Sequence, residues 1–402
     1  MTSPFTTSTR RSVFALLLAL LTALTINGYP LVGLIGDFLQ LEGLIVSGPF
    51  RAGVVALGAL GALQVLRALR PFRLDILLLL FWWLYLVRLV FDLGNPAFEH
   101  SAEWLVFFVA TCVIPSVAAM IMAGSYSEKG VAQLLFMLGV AVALGMLLLF
   151  ATGNLDQDLL RSQGGRVSLR AVNAISLGHV YATGIIAGLT LWRYHRTIYG
   201  GRLLLIAGFG LNAAALVFAA SRGPVLGLVG ALIAFAVMRG RWGQGLAVAL
   251  ALAIVLPSLI ASQNVTLIDR FLGVYTDASS QERLMYQVSA IDQAITHPLF
   301  GSGSAELLSG TYPHNLTIES AMAMGLLGLA LFVVLTVRGS MQAISRLRRG
   351  EVLLPLLFIQ YLIASQLSGA LWGATSLWIV MSLMAVTPSA DYRPSQRRSA
   401  PL

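Results

Sequence analysis

Charged side chains are scarce in this sequence. Asp, Glu, Lys and Arg together make up 11% of its 402 residues, whereas hydrophobic residues make up 57% and the mean hydropathy is +0.83. A soluble globular protein has about 25% charged residues, so this composition excludes an ordinary soluble globule. Because backbone groups inside a bilayer must be hydrogen-bonded within the protein, the sequence predicts an all-α, polytopic integral membrane protein.

Cysteine is nearly absent as well, and so are the spacings of metal ligands. Cys112 is the single cysteine, so no internal disulfide can form and outward loops must hold their shape by packing and hydrogen bonds. No histidine and cysteine residues have the spacing of a zinc site. Asp156 and Asp158 form an Asp-x-Asp pair of the kind that can hold a divalent ion, but acidic pairs are common in loops. We therefore predict no metal and no other cofactor.

Long apolar runs are abundant. Runs of about 17 to 22 residues match the length of a helix that crosses a bilayer, and they predict about 12 transmembrane helices in a single membrane domain over residues 1–402. The predicted spans are 12–27, 51–66, 74–93, 103–123, 131–151, 173–191, 203–220, 223–238, 245–261, 316–337, 352–371 and 373–387. The segment 31–50 carries Asp37 and Glu42 among apolar residues, and we interpret it as re-entrant or interfacial. The first run begins like a secretory signal but lacks a clear cleavage site, which favours an uncleaved span.

The distribution of basic residues predicts the orientation. With both termini in the cytoplasm, most of the 26 Lys and Arg residues fall in cytoplasmic segments, as the positive-inside rule requires. The net charge of +9 is then explained by topology and by contacts with anionic lipid headgroups. No nucleic acid partner is expected.

Eight arginines fall on or near the outer face in this topology. Guanidinium groups stay charged and pair well with phosphate oxygens, so they suggest an outward site for a phosphate-bearing ligand; a solvated loop arginine or a headgroup contact is an equal alternative for any one of them. The eight are Arg51, Arg88, Arg161, Arg166, Arg170, Arg222, Arg270 and Arg283. Arg222 is the most informative, because Gly223 and Pro224 interrupt the helix beside it in "FAASRGPVLG", and broken helix ends can help to hold anions.

The largest outer loop is predicted over residues 262–313. Within it, "ERLMYQVSAIDQAI" has apolar residues at helical spacing, which predicts an amphipathic helix along the membrane surface. His297 and Pro298 are expected to end this helix. Arg283 lies in its first turn and could point toward the site.

His314 stands just before the tenth predicted span, in "TYPHNLTIESAMAMGLLGL". Asn315 is predicted to cap that helix, and Glu319 to lie in its first turn, where the helix dipole favours a carboxylate. A neutral imidazole can accept a proton from a hydroxyl group near neutral pH. His314 is therefore a candidate general base, although a histidine hydrogen-bonded in a loop turn is the simpler interpretation of such a residue in isolation.

Three segments together resemble the superfamily of O-antigen ligases and polysaccharide polymerases. They are "ASRGPVLGLVGALIAF", "RLMYQVSAIDQAITHPLFGSGSAE" and "PHNLTIESAMAMGLLGLALF", and the resemblance is strongest over residues 203–335. It implies a metal-independent, inverting glycosyltransferase in the bacterial inner membrane, with its active site and its large loop facing the periplasm. It also implies an undecaprenyl diphosphate-linked glycan as donor and a sugar of the lipid A core as acceptor, in contact with membrane lipids.

The resemblance also implies roles for individual residues. His314 matches the histidine that is proposed in the family to activate the acceptor hydroxyl. Arg222 and Arg283 match arginines that would bind the diphosphate, and Arg170, in "RVSLRAVNAISLGH", resembles an arginine that precedes the sixth span in ligases. Asn315 and Glu319 would support the site.

Two alternatives remain open. An O-antigen or exopolysaccharide polymerase of the same superfamily transfers the glycan to another lipid-linked repeat unit, and the length of the chain and of its outer loop only slightly favour the ligase. A transporter or flippase would show inverted repeats or ionisable residues at mid-membrane depth, whereas the acidic residues here fall in loops or near the ends of predicted spans. We therefore predict an O-antigen ligase.

Overall fold

The computed structural model describes residues 4–41, 43–153, 168–197, 201–238 and 278–387. Within these ranges the chain is helical and has no β-strand, which confirms the all-α prediction. The α-helices are α1 (Pro4–Phe38), α2 (Gly43–Arg67), α3 (Ile76–Phe91), α4 (Ser101–Phe107), α5 (Ile114–Met122), α6 (Glu128–Ala151), α7 (Ala174–Leu191), α8 (Gly201–Phe218), α9 (Arg222–Met238), α10 (Ala278–Thr296), α11 (Leu316–Arg348), α12 (Leu353–Ser368) and α13 (Thr375–Val386). A π-helical turn over Phe108–Val113 joins α4 to α5.

Seven helical segments in the described ranges are long and apolar enough to cross a membrane, by length and composition. They are Ser12–Phe38, Ile45–Arg67, Ser101–Ser125, Glu128–Ala151, Ala174–His195, Gly201–Phe218 and Leu316–Arg348. Four shorter apolar helices, α3, α9, α12 and α13, coincide with four more of the predicted spans. The remaining predicted span, 245–261, lies outside the described residues, so the total of twelve stays a prediction.

The segment 31–50 is not a separate re-entrant element, so that part of the prediction was wrong, whereas an interfacial position stays a prediction. α1 runs through its first part and α2 begins in its second part, with a short turn between them. Gln40 in this turn has a left-handed backbone, with φ of 53°. Asp37, which had suggested an irregular segment, accepts hydrogen bonds from the backbone N–H of Arg170 at 3.2 and 3.3 Å. The carboxylate thus joins the end of α1 to the segment before α7 without interrupting the helix.

α7 is the most enclosed of the long helices, and small residues let its neighbours approach it. α1, α6, α8, α9 and α12 all pack against it. A Cβ atom added at Gly184 would lie 2.5 Å from the Oδ1 of Asn212 on α8. Without a hydrophobic driving force between helices in lipid, such close backbone packing supplies much of the attraction between them.

α11 breaks at Gly325, which has φ of 63° and ψ of −157°. In a regular helix the N–H of Leu326 would donate to the carbonyl oxygen of Met322. Here Leu326 donates to the carbonyl oxygen of Pro298 at 2.7 Å, and the oxygen of Met322 accepts from the N–H of Ser302 at 2.8 Å. The segment that follows α10 therefore inserts into the break. This insertion fixes α10 against α11, although the sequence had predicted an uninterrupted span.

Candidate functional site

A cavity of about 560 Å³ lies where several helix ends meet. Its walls come from the second half of α1, the first half of α2, the beginnings of α7 and α13, the π-helical turn after α4, one residue of α10, the loop before α11, the end of α12 and the short turn before α13. The charged, imidazole and phenol side chains of the lining are Tyr29, Arg51, His179, Arg283, Tyr312, His314 and Tyr361. No Asp or Glu is among the described residues that line it.

His314 lies in the loop before α11 with a left-handed backbone, φ 59°, which is uncommon for a residue other than glycine. Its ring contacts Tyr312, with ring centroids 4.4 Å apart, and lies 6.5 Å from the ring of Tyr286. Its Nδ1 atom is buried and has no hydrogen-bond partner in the described part of the chain. Burial, and then the positive charge of Arg283, lower the pKa of His314 from 6.5 to about 4. The imidazole is therefore neutral at neutral pH, and no hydrogen bond from a described residue to Nδ1 fixes which ring nitrogen carries the proton.

Arg283 reaches the same cavity from α10. A helix is present where the sequence predicted one; it begins at Ala278 and ends at Thr296, directly before His297, as expected. Because the helix begins earlier than predicted, Arg283 lies in its second turn, and its Nη1 donates to the carbonyl oxygen of Leu367 at 3.2 Å. This bond directs the guanidinium toward the end of α12, which also lines the cavity.

The predicted apolar face of α10 is exposed. Leu284, Val288 and Ile295 are 61%, 59% and 72% exposed, and Phe300 beyond the helix is 80% exposed. Apolar side chains in such a stripe suit a helix that lies on a membrane surface. The surface position and the full extent of loop 262–313 stay predictions, since residues 262–277 lie outside the described ranges.

Asn315 caps α11 as predicted. Its Oδ1 accepts from the N–H of Ile318 at 3.1 Å, and its Nδ2 donates to the carbonyl oxygen of Gln366 at 3.0 Å. The Oε1 of Gln366 in turn accepts from the hydroxyl of Thr317 at 2.7 Å. These bonds tie the first turn of α11 to the end of α12, and they hold the loop that carries His314.

Glu319 lies in the first turn of α11 as predicted, but its partners are tertiary rather than only the helix dipole. The side chain is fully buried. It accepts hydrogen bonds from the N–H of Leu371 at 2.9 Å and from the hydroxyl of Tyr85 at 3.3 Å. Leu371 opens a short turn whose Trp372 lines the cavity. The carboxylate thus supports this wall of the cavity from behind.

The family model of the O-antigen ligases matches residues 207–333. This match supports the resemblance of the chain to the O-antigen ligase superfamily. The family indicates ligase- or polymerase-type glycosyl transfer with lipid-linked polysaccharide substrates. No curated protein matches the chain. The matched segment contains Arg222, Arg283, His314, Asn315 and Glu319.

The cavity is lined by two of the predicted site residues, His314 and Arg283, but by neither Arg222 nor Arg170. Arg222 is the first residue of α9, and its Nη2 donates to the hydroxyl of Ser280 at 2.9 Å. It therefore contacts the first turn of α10, the helix that carries Arg283. Phosphate binding by Arg222 and Arg170 stays a prediction.

Arg51 lines the cavity, although the sequence had identified it only as one of eight outer-face arginines that suggest a phosphate site. Its guanidinium lies over the rings of Phe107, at 4.1 Å, and Tyr29, at 5.4 Å. Its charge on the outer side of a predicted span was the signal that could have found it. His179 and Tyr361, with ring centroids 5.2 Å apart, also line the cavity, and they lie inside apolar runs that gave no signal.

Several acidic and basic residues of the sequence argument lie outside the described ranges. They are Asp156, Asp158, Arg161, Arg166 and Arg270. In the described part of the chain, no cluster of three or more His, Cys, Asp or Glu residues is placed to hold a metal ion.

Proposed function

We propose that this protein is an O-antigen ligase that transfers a glycan from undecaprenyl diphosphate to a sugar hydroxyl of lipid A core. The observation that carries the proposal is the neutral imidazole of His314, with an unpartnered Nδ1, in the same cavity as Arg283. The family match over 207–333 supports the class of reaction. The protein would lie in the bacterial inner membrane, with this cavity facing the periplasm and both termini in the cytoplasm.

The reaction is a single inverting displacement. The acceptor hydroxyl gives its proton to a ring nitrogen of His314, while its oxygen attacks the anomeric carbon of the donor sugar from the face opposite the diphosphate. The bond between that carbon and the diphosphate oxygen breaks, and the electron pair leaves with undecaprenyl diphosphate. Arg283 stabilises the negative charge that develops on the leaving group. The imidazolium then returns its proton to solvent.

Binding of the donor would also raise the pKa of His314. In the free protein, the charge of Arg283 is one of the two causes that lower the pKa of His314. An anionic diphosphate beside Arg283 offsets this charge and raises the pKa of the imidazole toward the range in which a general base is most effective. His314 would therefore gain basicity when the donor is in place.

The test is reconstitution of the purified protein with an undecaprenyl diphosphate-linked glycan, with and without lipid A core, in EDTA. Products are separated by gel mobility. We expect a shifted lipid A core band that disappears in His314→Asn, a change that suits the left-handed backbone because asparagine adopts this conformation readily. If the glycan lengthens on its own lipid instead, the protein is a polymerase. If neither product forms, the catalytic role of His314 is rejected and ion-coupled transport is tested.

A further inference from the structure

The inner end of the cavity carries uncharged polar side chains. It is the part lined by Tyr361, His179 and Thr25. On α12, Tyr361 is the lining residue farthest from the end of the helix, and on α7, His179 is the lining residue farthest from the beginning. Arg283 bonds to the carbonyl oxygen of Leu367, and along α12 this residue lies about 9 Å from Tyr361 at the usual rise per residue. The inner end is therefore separate from the position of this guanidinium.

His179 is held by the face of its ring, whereas its Nδ1 atom is left unpaired. The ring packs against the ring of Tyr361, with centroids 5.2 Å apart. The hydroxyl of Tyr361 lies 2.7 Å from the Oγ1 of Thr183, which also accepts from the Nε2 of Gln360 at 3.3 Å. These bonds fix the ring that supports His179. The Nδ1 of His179 is buried and has no hydrogen-bond partner among the described residues. A buried polar atom without a partner is costly, so a ligand or a water molecule is expected to supply one.

Thr25 adds a second unpaired polar atom to the inner end. A threonine inside a helix can satisfy its hydroxyl by donating to the carbonyl oxygen four residues earlier. Thr22 does so to Leu18 at 2.7 Å. Thr111, which also lines the cavity, does so to Phe107 at 2.8 Å. The Oγ1 of Thr25 is buried but has no such partner in the described part of the chain. Two helices, α1 and α7, thus each bring an unpaired polar atom to the same cavity.

These two side chains suit a neutral ligand that is rich in hydroxyl groups. A neutral imidazole has one N–H donor and one acceptor nitrogen, and a threonine hydroxyl can donate and accept. A sugar hydroxyl also donates and accepts, so it can pair with either side chain. An apolar ligand would leave both atoms without a partner, at a cost in free energy. A few polar groups in a largely apolar wall are typical of sites that orient a small ligand.

We propose that His179 and Thr25 bind hydroxyl groups of a sugar ring at the inner end of the cavity and thereby help to select the sugar that the protein accepts. Both residues lie outside the segment matched by the family, which is residues 207–333. The donor glycan and the acceptor are two sources of the same hydroxyl chemistry. The role of the sugar as a substrate rests on the proposed function, whereas its recognition by these two side chains does not.

The test measures the binding of lipids with and without their sugars. The purified full-length protein in detergent is titrated in separate series with an undecaprenyl diphosphate-linked glycan, undecaprenyl diphosphate, lipid A core and lipid A. The bound lipid is read by native mass spectrometry. His179→Phe keeps an aromatic ring against Tyr361 but loses both ring nitrogens, and Thr25→Val keeps the shape of the side chain but loses the hydroxyl. His195→Phe is the matched control, because the ring of His195 lies at the same 33° to the ring of Trp192 but does not line the cavity.

His179→Phe should weaken the binding of a sugar-bearing lipid about tenfold and Thr25→Val about threefold, because a sugar hydroxyl loses its partner in a buried site. Binding of the lipids without their sugars should not change in either variant, and His195→Phe should change no series. A loss confined to the undecaprenyl diphosphate-linked glycan assigns the sugar to the donor. A loss confined to lipid A core assigns it to the acceptor, and a loss with both supports the sugar site for both substrates.

The other outcomes overturn the proposal or separate it from the proposed function. If His179→Phe binds all four lipids like the unchanged protein, water satisfies the unpaired atoms and the sugar site is rejected. It is also rejected if His179→Phe weakens the lipids with and without sugars equally, or if the unchanged protein does not distinguish them. If His179→Phe does not fold, unchanged binding of both sugar-bearing lipids by Thr25→Val overturns the proposal. A failed transfer assay with intact, His179-dependent sugar binding rejects only the proposed function.

Discussion

The arginines near the two ends of α11 have different kinds of partners. Near its C-terminal end, Arg346 is 4% exposed, and its guanidinium donates to the carboxylate of Glu351 at 2.6 Å and to the carbonyl oxygens of Met384 and Thr387 at 2.9 and 2.6 Å. The cavity lies before its N-terminal end, and there the guanidinium of Arg51, on α2, lies over the rings of Tyr29 and Phe107.

The difference is between an arginine whose charge is satisfied inside the fold and arginines that line a cavity. A buried ion contributes to a stable fold only when its partners satisfy it, and Arg346 has a carboxylate and two carbonyl groups. Arg338 also lies on α11, after the break at Gly325, and forms an ion pair with the carboxylate of Asp75. The cavity instead has two arginines without a described carboxylate in its lining. Under the proposed function, the anionic diphosphate of the donor binds in this cavity.

The largest expected effect is at His314. His314→Asn should lower the rate of glycan transfer about 10²- to 10⁴-fold, the usual contribution of a general base. The unfolding temperature should change little, because Nδ1 of His314 has no described partner and asparagine tolerates the backbone conformation. Transfer is followed by gel and unfolding by a thermal scan in detergent. A variant that is inactive because it is unfolded would leave the catalytic role without support.

The next effect belongs to the opposite end of α11. Arg346→Met should destabilise the protein by about 3–5 kcal/mol, because Glu351 and two carbonyl groups lose their partner in a buried site. Transfer per folded molecule should not change. Arg283→Met is the comparison, and it should cost much less stability but reduce transfer strongly. Thermal unfolding of both variants measures the loss of stability. Equal losses in the two variants would contradict the proposal that Arg346 stabilises the fold and Arg283 does not.

The break in α11 should be sensitive to a single methyl group. Gly325→Ala places a side chain on a backbone conformation that only glycine adopts readily, and its Cβ would lie 2.4 Å from the carbonyl oxygen of Leu299. We expect a loss of about 2 kcal/mol in stability. Gly210→Ala on α8 is the control, since a Cβ there meets nothing within 4 Å and alanine favours a helix. If both variants unfold at the same temperature, the break does not hold α10 in place.

The fold was predictable from the sequence where local physics decides it. Apolar runs of bilayer length gave the helices, and the side chain of Asn315 gave the cap of α11. Asp37 led to the wrong prediction of a re-entrant segment, because its hydrogen-bond partner is the backbone of Arg170, 133 residues away. Gly325 gave no signal, since glycine is frequent in membrane helices and the carbonyl group that enters the break belongs to another segment.

The site residues also differ in how far the sequence could predict them. His314 and Arg283 lie in motifs that resemble a known superfamily, and the structure brings both into one cavity. Arg51 could be recognised only as one cation among eight, because its place in the cavity depends on packing against Phe107, a residue on a different helix. Arg222, which the sequence had ranked highest, contacts the first turn of α10 and does not line the cavity.

The smallest expected effect is a shift in the pH dependence of glycan transfer. It measures how strongly the pKa of His314 changes when the donor binds. Transfer needs the neutral form of His314, so in the free protein kcat/KM should fall as the pH drops toward about 4, the pKa set by burial and by Arg283. With donor bound, the diphosphate offsets the charge of Arg283, so the pKa of His314 rises and kcat should fall at a higher pH than kcat/KM does.

Arg283→Gln provides the matched test of that shift. It removes one of the two causes that lower the pKa of His314, so the acid limb of kcat/KM should move to higher pH, and the gap between the limbs of kcat and kcat/KM should narrow. Burial still acts, so the limb should stay below 6.5, the ordinary pKa of the group. Initial rates over a series of pH values measure both limbs. An acid limb that does not move in Arg283→Gln would mean that Arg283 does not act on His314 through its charge, and its place in the cavity would then have to be explained by binding alone.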